Sequence, residues 1–217
     1  PLISGKDSMK NDYMVGDTKI SIPPTVLFSV IGKIEDLRKA TTMDAKAPGD
    51  LVYLLGQTAD ELGGSEYYAM DGAVGCNVPQ VDAESSLKRY RTVNAAQEEG
   101  LVASCHDLSD GGLAVALAET AFSGGFGIKA DLNSVPVTAA MREDHLLFSE
   151  SASRLLITVK PEHQERFEQL FAGQICACIG EVSNDDMLQI TGLKGEILVR
   201  SSIDQLKEAW QSPLREM

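Results

Sequence analysis

The run Cys105-His106-Asp107-Leu108-Ser109-Asp110-Gly111-Gly112-Leu113-Ala114-Val115-Ala116-Leu117-Ala118-Glu119 constrains the fold more than any other segment. Residues 101–107 read as a strand that ends in a short acidic turn, and an almost wholly apolar helix leaves that turn. A helix that is apolar all round must be covered by other elements, so the unit belongs inside an α/β domain. Its turn lies at the carboxyl end of a strand, where open sheets hold their ligands. Asp107, Ser109 and Asp110 place two carboxylates and a hydroxyl there. Those oxygens have two uses. They can cap the helix N-terminus, or they can hold a hard cation such as Mg²⁺ that bridges to a phosphate.

Upstream, residues 25–32 read as a buried strand entered through Pro23-Pro24, with turns at Asn11-Asp12 and Gly16-Asp17. A few strands without a covering helix make no core, so residues 1–45 need a partner beyond themselves. An uncovered apolar strand there predicts self-association. The chain also starts inside an apolar segment without an initiator Met, which gives the expectation of a piece of a longer polypeptide. Ala47-Pro48-Gly49-Asp50 is read as the domain boundary.

Beyond that boundary the pattern is strand 51–55, a helical turn at 58–61 stopped by Gly63-Gly64, and an irregular 69–82. A helix follows at 83–99, with Leu87, Tyr90, Val93 and Ala96 on its buried face. After the helix at 112–122 come strand 126–132, strand 154–159, a helix at 161–171 begun by Pro161, and strands 175–182, 187–191 and 196–199. Ser202 and Gln205 form the capping box of a last helix carrying Ile203, Leu206 and Trp210 on one face, and Ser212-Pro213-Leu214-Arg215 reads as a linker. The fold class is therefore mixed α/β (α+β) over 48–202, closed by a helix and linker at 203–217.

A net charge of −13 and a pI of about 4.6 exclude nucleic acid and anionic membrane as partners. Nucleotides stay compatible, because cations and helix N-termini reverse the field locally. Cys76, Cys105, Cys176 and Cys178 lack zinc spacing and read as reduced, mostly buried thiols of a cytoplasmic protein. No apolar run is long enough for a membrane span.

Ser4-Gly5-Lys6-Asp7-Ser8 follows a strand and supplies a glycine, a cation, a carboxylate and a hydroxyl, the parts of a magnesium–phosphate site. It is not a Walker A loop, and a plain polar turn is the alternative. Ser149-Glu150-Ser151 is either a contact for a ribose or sugar phosphate or an exposed polar turn. His106 is either a base or a satisfied hydrogen-bonding residue. His163 shares a helical face with Phe167 and Leu170 and reads as half-buried packing.

Taken in order, Pro1-Leu2-Ile3-Ser4-Gly5-Lys6-Asp7-Ser8-Met9, Leu62-Gly63-Gly64-Ser65-Glu66-Tyr67, His106-Asp107-Leu108-Ser109-Asp110-Gly111-Gly112-Leu113 and Phe148-Ser149-Glu150-Ser151 resemble one family. It is the second half of the formylglycinamide ribonucleotide amidotransferases (phosphoribosylformylglycinamidine synthases), in the superfamily of aminoimidazole ribonucleotide synthetase. The resemblance implies a mixed-sheet C-terminal-type domain from residue 48, preceded at 1–45 by the tail of a β-rich ATP-binding domain. It implies an ATP- and Mg²⁺-dependent carbon–nitrogen ligase of purine biosynthesis that converts formylglycinamide ribonucleotide to its amidine, with ammonia from glutamine. By the same resemblance Gly5, Lys6 and Ser8 lie near nucleotide, Ser8 also near substrate, and Asp7 near metal. Asp107 and Ser109 match an auxiliary site for Mg²⁺ and ATP or ADP. Glu150 and Ser151 match a substrate turn by internal pseudo-symmetry. No catalytic residue is expected in this stretch, because the family's catalytic histidines lie in the first half of the polypeptide and the glutaminase in another domain or subunit. The isolated chain is thus expected to be inactive, and both of those parts are expected partners. The alternatives are a nucleotide-binding or scaffolding module, or another member such as a selenophosphate synthetase.

Overall fold

The computed structural model describes Gly5, residues 12–21 and residues 28–215. These fall into two compact units, Pro1–Glu35 and Asp36–Met217. In the first, β1 (Asp12–Val15) and β2 (Thr18–Ser21) form an antiparallel hairpin. Gly16 turns it with φ +60°, and the Asp12 carboxylate takes Lys19 Nζ at 2.7 Å and Ser21 Oγ at 2.8 Å. Residues 22–27 lie outside the described residues, so only part of the expected strand at 25–32 can be compared. Residues 28–32 run without strand pairing.

The second unit contains β3 (Leu51–Leu55), α1 (Glu66–Met70), α2 (Ala83–Glu98), β4 (Ser104–Asp107), α3 (Gly112–Gly124), β5 (Gly127–Asp131), α4 (Glu143–Phe148), β6 (Leu155–Val159), α5 (Gln164–Leu170), β7 (Cys176–Ser183), β8 (Met187–Thr191), β9 (Ile197–Ser202) and α6 (Ile203–Arg215). Its seven strands make one mixed sheet in the order β4-β6-β3-β7-β5-β8-β9, antiparallel except for the β5–β8 pair. Strand alternation sends Val52, Leu54 and Leu156 into one core with Leu113, Leu117 and Ala121 of α3. Tyr53, Leu55, Ile157 and Val159 enter a second core with Val93 and Ala96 of α2 and Phe167 and Phe171 at α5. Helices therefore cover both faces, which is why β3 and β6 read as unbroken apolar runs.

Several expectations change. Residues 58–61 form no helical turn. Thr58 instead bridges to Val137, and the helix starts after Gly64, where Ser65 Oγ accepts the Tyr68 amide at 3.2 Å. On α2, Leu87 and Tyr90 are exposed; Ser86, Val93 and Ala96 are buried, and only Val93 and Ala96, in the second half of the helix, join the apolar core. Cys76 and Cys178 are exposed rather than buried, although all four thiols are free. Residues 143–148, to which no element was assigned, form α4, and α6 runs through Pro213 to Arg215, where a linker was expected. The capping box of α6 forms as read: Gln205 N donates to Ser202 Oγ and Ser202 N to Gln205 Oε1, both at 3.3 Å.

One buried acid is left incomplete. Asp50, at the entry to β3, is 2% exposed, and its Oδ2 has no hydrogen-bond partner. Burial raises its pKa, against the Ala47 amide and the charge of Lys160. The native state thus holds this proton more tightly than the unfolded chain, so stability falls as pH rises from the ordinary 3.8 through the raised value. Asp50→Asn is expected to stabilise the protein by about 1 kcal/mol at neutral pH. Urea unfolding should show that gain shrinking away as the pH is lowered below 3.8.

Candidate functional site at the Asp107 turn

The acidic turn hangs from β4, an edge strand paired only with β6, in a register that sets Asp107 opposite Leu155. The Leu108 amide donates to the Arg154 carbonyl at 3.2 Å, and the Gly112 amide to the Ser109 carbonyl at 3.0 Å. Gly111 and Gly112 have φ +77° and +61°, so the chain enters α3 through two left-handed residues. Gly111 is the N-cap and offers no side chain, so neither Asp107 nor Asp110 caps the helix. This corrects the capping reading. The Gly111 amide is taken instead by Glu150 Oε1, at 2.9 Å, from a different segment. Asp107 points outward with its side chain 68% exposed and accepts a hydrogen bond from Ser109 Oγ. That hydroxyl is the main cause holding the Asp107 carboxyl below its usual pKa, so it is an anion at neutral pH.

Around the turn lies a polar assembly. Ser149 and Ser151 are 0% and 3% exposed, so this segment is not the exposed turn that was one reading. Ser151 Oγ accepts the Ala59 amide at 3.0 Å, and Ser149 Oγ donates to the Ala59 carbonyl at 2.6 Å; together they fasten residues 59–61. Glu150 Oε1 also accepts the Glu66 amide at 3.3 Å, and Glu61 Oε1 accepts the Gln80 amide at 2.9 Å. Beneath them sits Arg154, 1% exposed. Its Nε donates to Ser151 O at 3.0 Å, Nη1 to Thr58 Oγ1 at 2.9 Å, and Nη2 to Ser149 O. Burial pulls its pKa down to about 10, while the charges of Glu61 and Glu150 oppose the shift. At neutral pH it remains a cation.

His106 is hydrogen-bonded through one ring nitrogen and has a carboxylate near the other. Nε2 lies 2.8 Å from Glu119 Oε2 on α3, and Nδ1 lies 3.4 Å from Asp107 Oδ1. Glu119 Oε1 in turn accepts the Trp210 indole N–H of α6 at 3.1 Å. Burial pushes the neighbouring Cys105 thiol up to about 11, which keeps it from acting as a nucleophile at neutral pH.

Of the residues singled out in the sequence, the structure brings together Asp107, Ser109 and Glu150, with Ser151 one layer below. Gly5 is described and exposed, while Lys6, Asp7 and Ser8 lie outside the described residues. Among the described residues no group of three or more acidic, histidine or cysteine side chains could hold a metal ion. Asp107 is thus no resident metal site by itself. Its one outward carboxylate suits a cation that arrives already chelated by a polyphosphate. Arg154 was missed, and its signal was an arginine heading the apolar strand Leu-Leu-Ile-Thr-Val. The capping role of Glu150, across 39 positions of sequence, left no local signal.

A mixed sheet covered on both faces, with an acidic turn leading into a buried helix, matches a known type of domain. The chain belongs to the family of AIR synthase related proteins, with residues 47–192 matching the C-terminal domain of that family. Among curated proteins, it is 40% identical over 222 aligned residues to the phosphoribosylformylglycinamidine synthase subunit PurL of Alkaliphilus metalliredigens (strain QYMF). That match takes in 99% of this chain but only 28% of the relative's length. Thermotoga maritima PurL complexed with FGAR has the same fold over 78% of this chain and 30% of its own, with a TM-score of 0.69 at 21% identity. Escherichia coli HypE, a hydrogenase maturation protein, shares the fold with a TM-score of 0.55 at 18% identity, over 75% of this chain and 51% of its own. Among the described residues no helix is long and apolar enough to cross a membrane.

Proposed function

We propose that this chain is a section of phosphoribosylformylglycinamidine synthase: the tail of its second β-rich domain at 1–45, its second α/β domain over 48–202, and a closing helix. The observation that carries this is the 40% identity to a PurL subunit along 99% of the chain. In this reading the whole enzyme is a cytoplasmic ligase. It spends ATP to activate the formamide oxygen of formylglycinamide ribonucleotide, and ammonia released from glutamine by a separate domain or subunit then displaces phosphate. The complexes of T. maritima PurL with FGAR, ATP, ADP and AMPPCP support both ligand classes.

The part played by this section is to bind and orient. Asp107 lends one anionic oxygen to the Mg²⁺ of a bound nucleotide, and Ser109 holds that carboxylate in place. Glu150 keeps the Gly111 amide satisfied, so that the turn is fixed before ligand arrives. Gly5, Lys6 and Ser8, with Asp7 as a metal ligand, make a nucleotide contact of their own, and Ser8 also meets substrate. Glu150 and Ser151 act on substrate only indirectly, because Glu150 Oε1 and the Ser151 hydroxyl already bond within the chain. The section alone is inactive, since the catalytic histidines and the glutaminase belong to the rest of the enzyme.

A chimera tests this. With the matching segment of A. metalliredigens PurL replaced by these residues, growth on purine-free medium should return to a strain lacking its own enzyme. Asp107→Ala in the chimera should weaken ADP binding in the presence of Mg²⁺ about tenfold. A soluble chimera that forms no amidine, beside an active parent, would overturn the assignment.

A further inference from the structure

We infer that His106 supplies a second ligand beside Asp107, so that the turn takes a nitrogen-binding transition cation, such as Mn²⁺, in preference to Mg²⁺. The inference rests on the reading that this turn meets a nucleotide-bound cation, and it names the class of that cation.

The imidazole is held from behind. Glu119 Oε2 lies 2.8 Å from His106 Nε2, and its other oxygen accepts the Trp210 indole N–H at 3.1 Å. A carboxylate only accepts, so the neutral ring carries its proton on Nε2 and keeps a lone pair on Nδ1. Metal-binding histidines are arranged this way, with one nitrogen on the ion and the other donating to a carboxylate that fixes the ring. Nδ1 stands 3.4 Å from Asp107 Oδ1, and the two make no hydrogen bond. An imidazolium would close one there. Two donor atoms about 2.1 Å from one ion, at angles from square to tetrahedral, stand roughly 3.0–3.4 Å apart. The pair therefore has the span of a chelate. The Ser109 hydroxyl takes Asp107 Oδ2, which leaves Oδ1 for a ligand. With two protein ligands, most of the coordination shell falls to phosphate oxygens and water, in keeping with the lack of a larger acidic, histidine or cysteine group among the described residues. Mg²⁺ favours oxygen ligands throughout, whereas first-row transition cations gain from an imidazole.

The test uses Mn²⁺, the weakest of that series and the one least drawn to the exposed thiols of Cys76 and Cys178. ADP is titrated into the 217-residue chain with either cation saturating the nucleotide. Binding should be at least about fivefold tighter with Mn²⁺ than with Mg²⁺. Electron spin-echo spectra of the bound Mn²⁺ should show ¹⁴N coupling from a directly ligated imidazole. His106→Gln keeps a donor near Nε2 for Glu119 but removes Nδ1. The coupling and the Mn²⁺ preference should both vanish in it, while Mg²⁺–ADP binding stays. Should that variant fail to fold, ¹⁵N-histidine labelling of the parent identifies the same nitrogen without any substitution. Absent ¹⁴N coupling, or coupling unchanged by His106→Gln or by the label, would overturn the inference and leave the Asp107 reading standing. No ADP binding with either cation would overturn both.

Discussion

Gly112→Ala is expected to destabilise the protein by about 3 kcal/mol or more, the upper range for a single substitution. Two costs act together. At φ +61° an alanine backbone is strained on its own. Its methyl would also land on the Ser149 carbonyl oxygen and press on the carbonyl of Leu147. Backbone on one side and the α3 entry on the other leave no side chain free to move aside. The damage extends past stability, because residues 149–151 would be pushed off and Glu150 would lose its bond to the Gly111 amide. Thermal unfolding should show a large fall in midpoint. Gly100→Ala, also left-handed but with open space around it, should cost clearly less.

The second large effect is expected at Arg154. Arg154→Met keeps the bulk of the side chain but strands the carbonyls of Ser149 and Ser151 and the Thr58 hydroxyl, all served now by one guanidinium. Unpaired buried acceptors cost roughly 1–3 kcal/mol each, so the total loss should exceed about 3 kcal/mol. Arg154→Lys should recover only a minor part, because a single ammonium on a flexible stem cannot reproduce a planar fork that serves three acceptors on two segments. Urea unfolding of the two variants separates lost charge from lost geometry. Near-equal stability of Arg154→Lys and the parent would show that charge alone matters.

Much of this architecture was legible in the amino-acid sequence. Short apolar runs marked β3 and β6, and Ser202 with Gln205 marked the start of α6, because these signals are local. The acidic turn was placed correctly at the end of β4, but its internal bonding was not. Asp107 looked like a cap by residue type, while the amide it would have capped is served by Glu150, 39 positions away in the sequence. No spacing rule connects those positions. The same holds for Ser149 and Ser151, polar by composition yet buried, since their partners at residues 59–61 arrive through the tertiary fold. Leu87 and Tyr90 show the opposite failure. Helical periodicity predicts a face, but only packing decides how far along α2 that face is covered.

Trp210 is the one tryptophan in the chain, and its indole is bonded to the carboxylate that also holds His106 beside Asp107. The domain therefore carries a built-in optical probe wired by two hydrogen bonds to its acidic corner. Emission from α6 should therefore respond to ligand at a turn more than a hundred positions upstream, without any added dye.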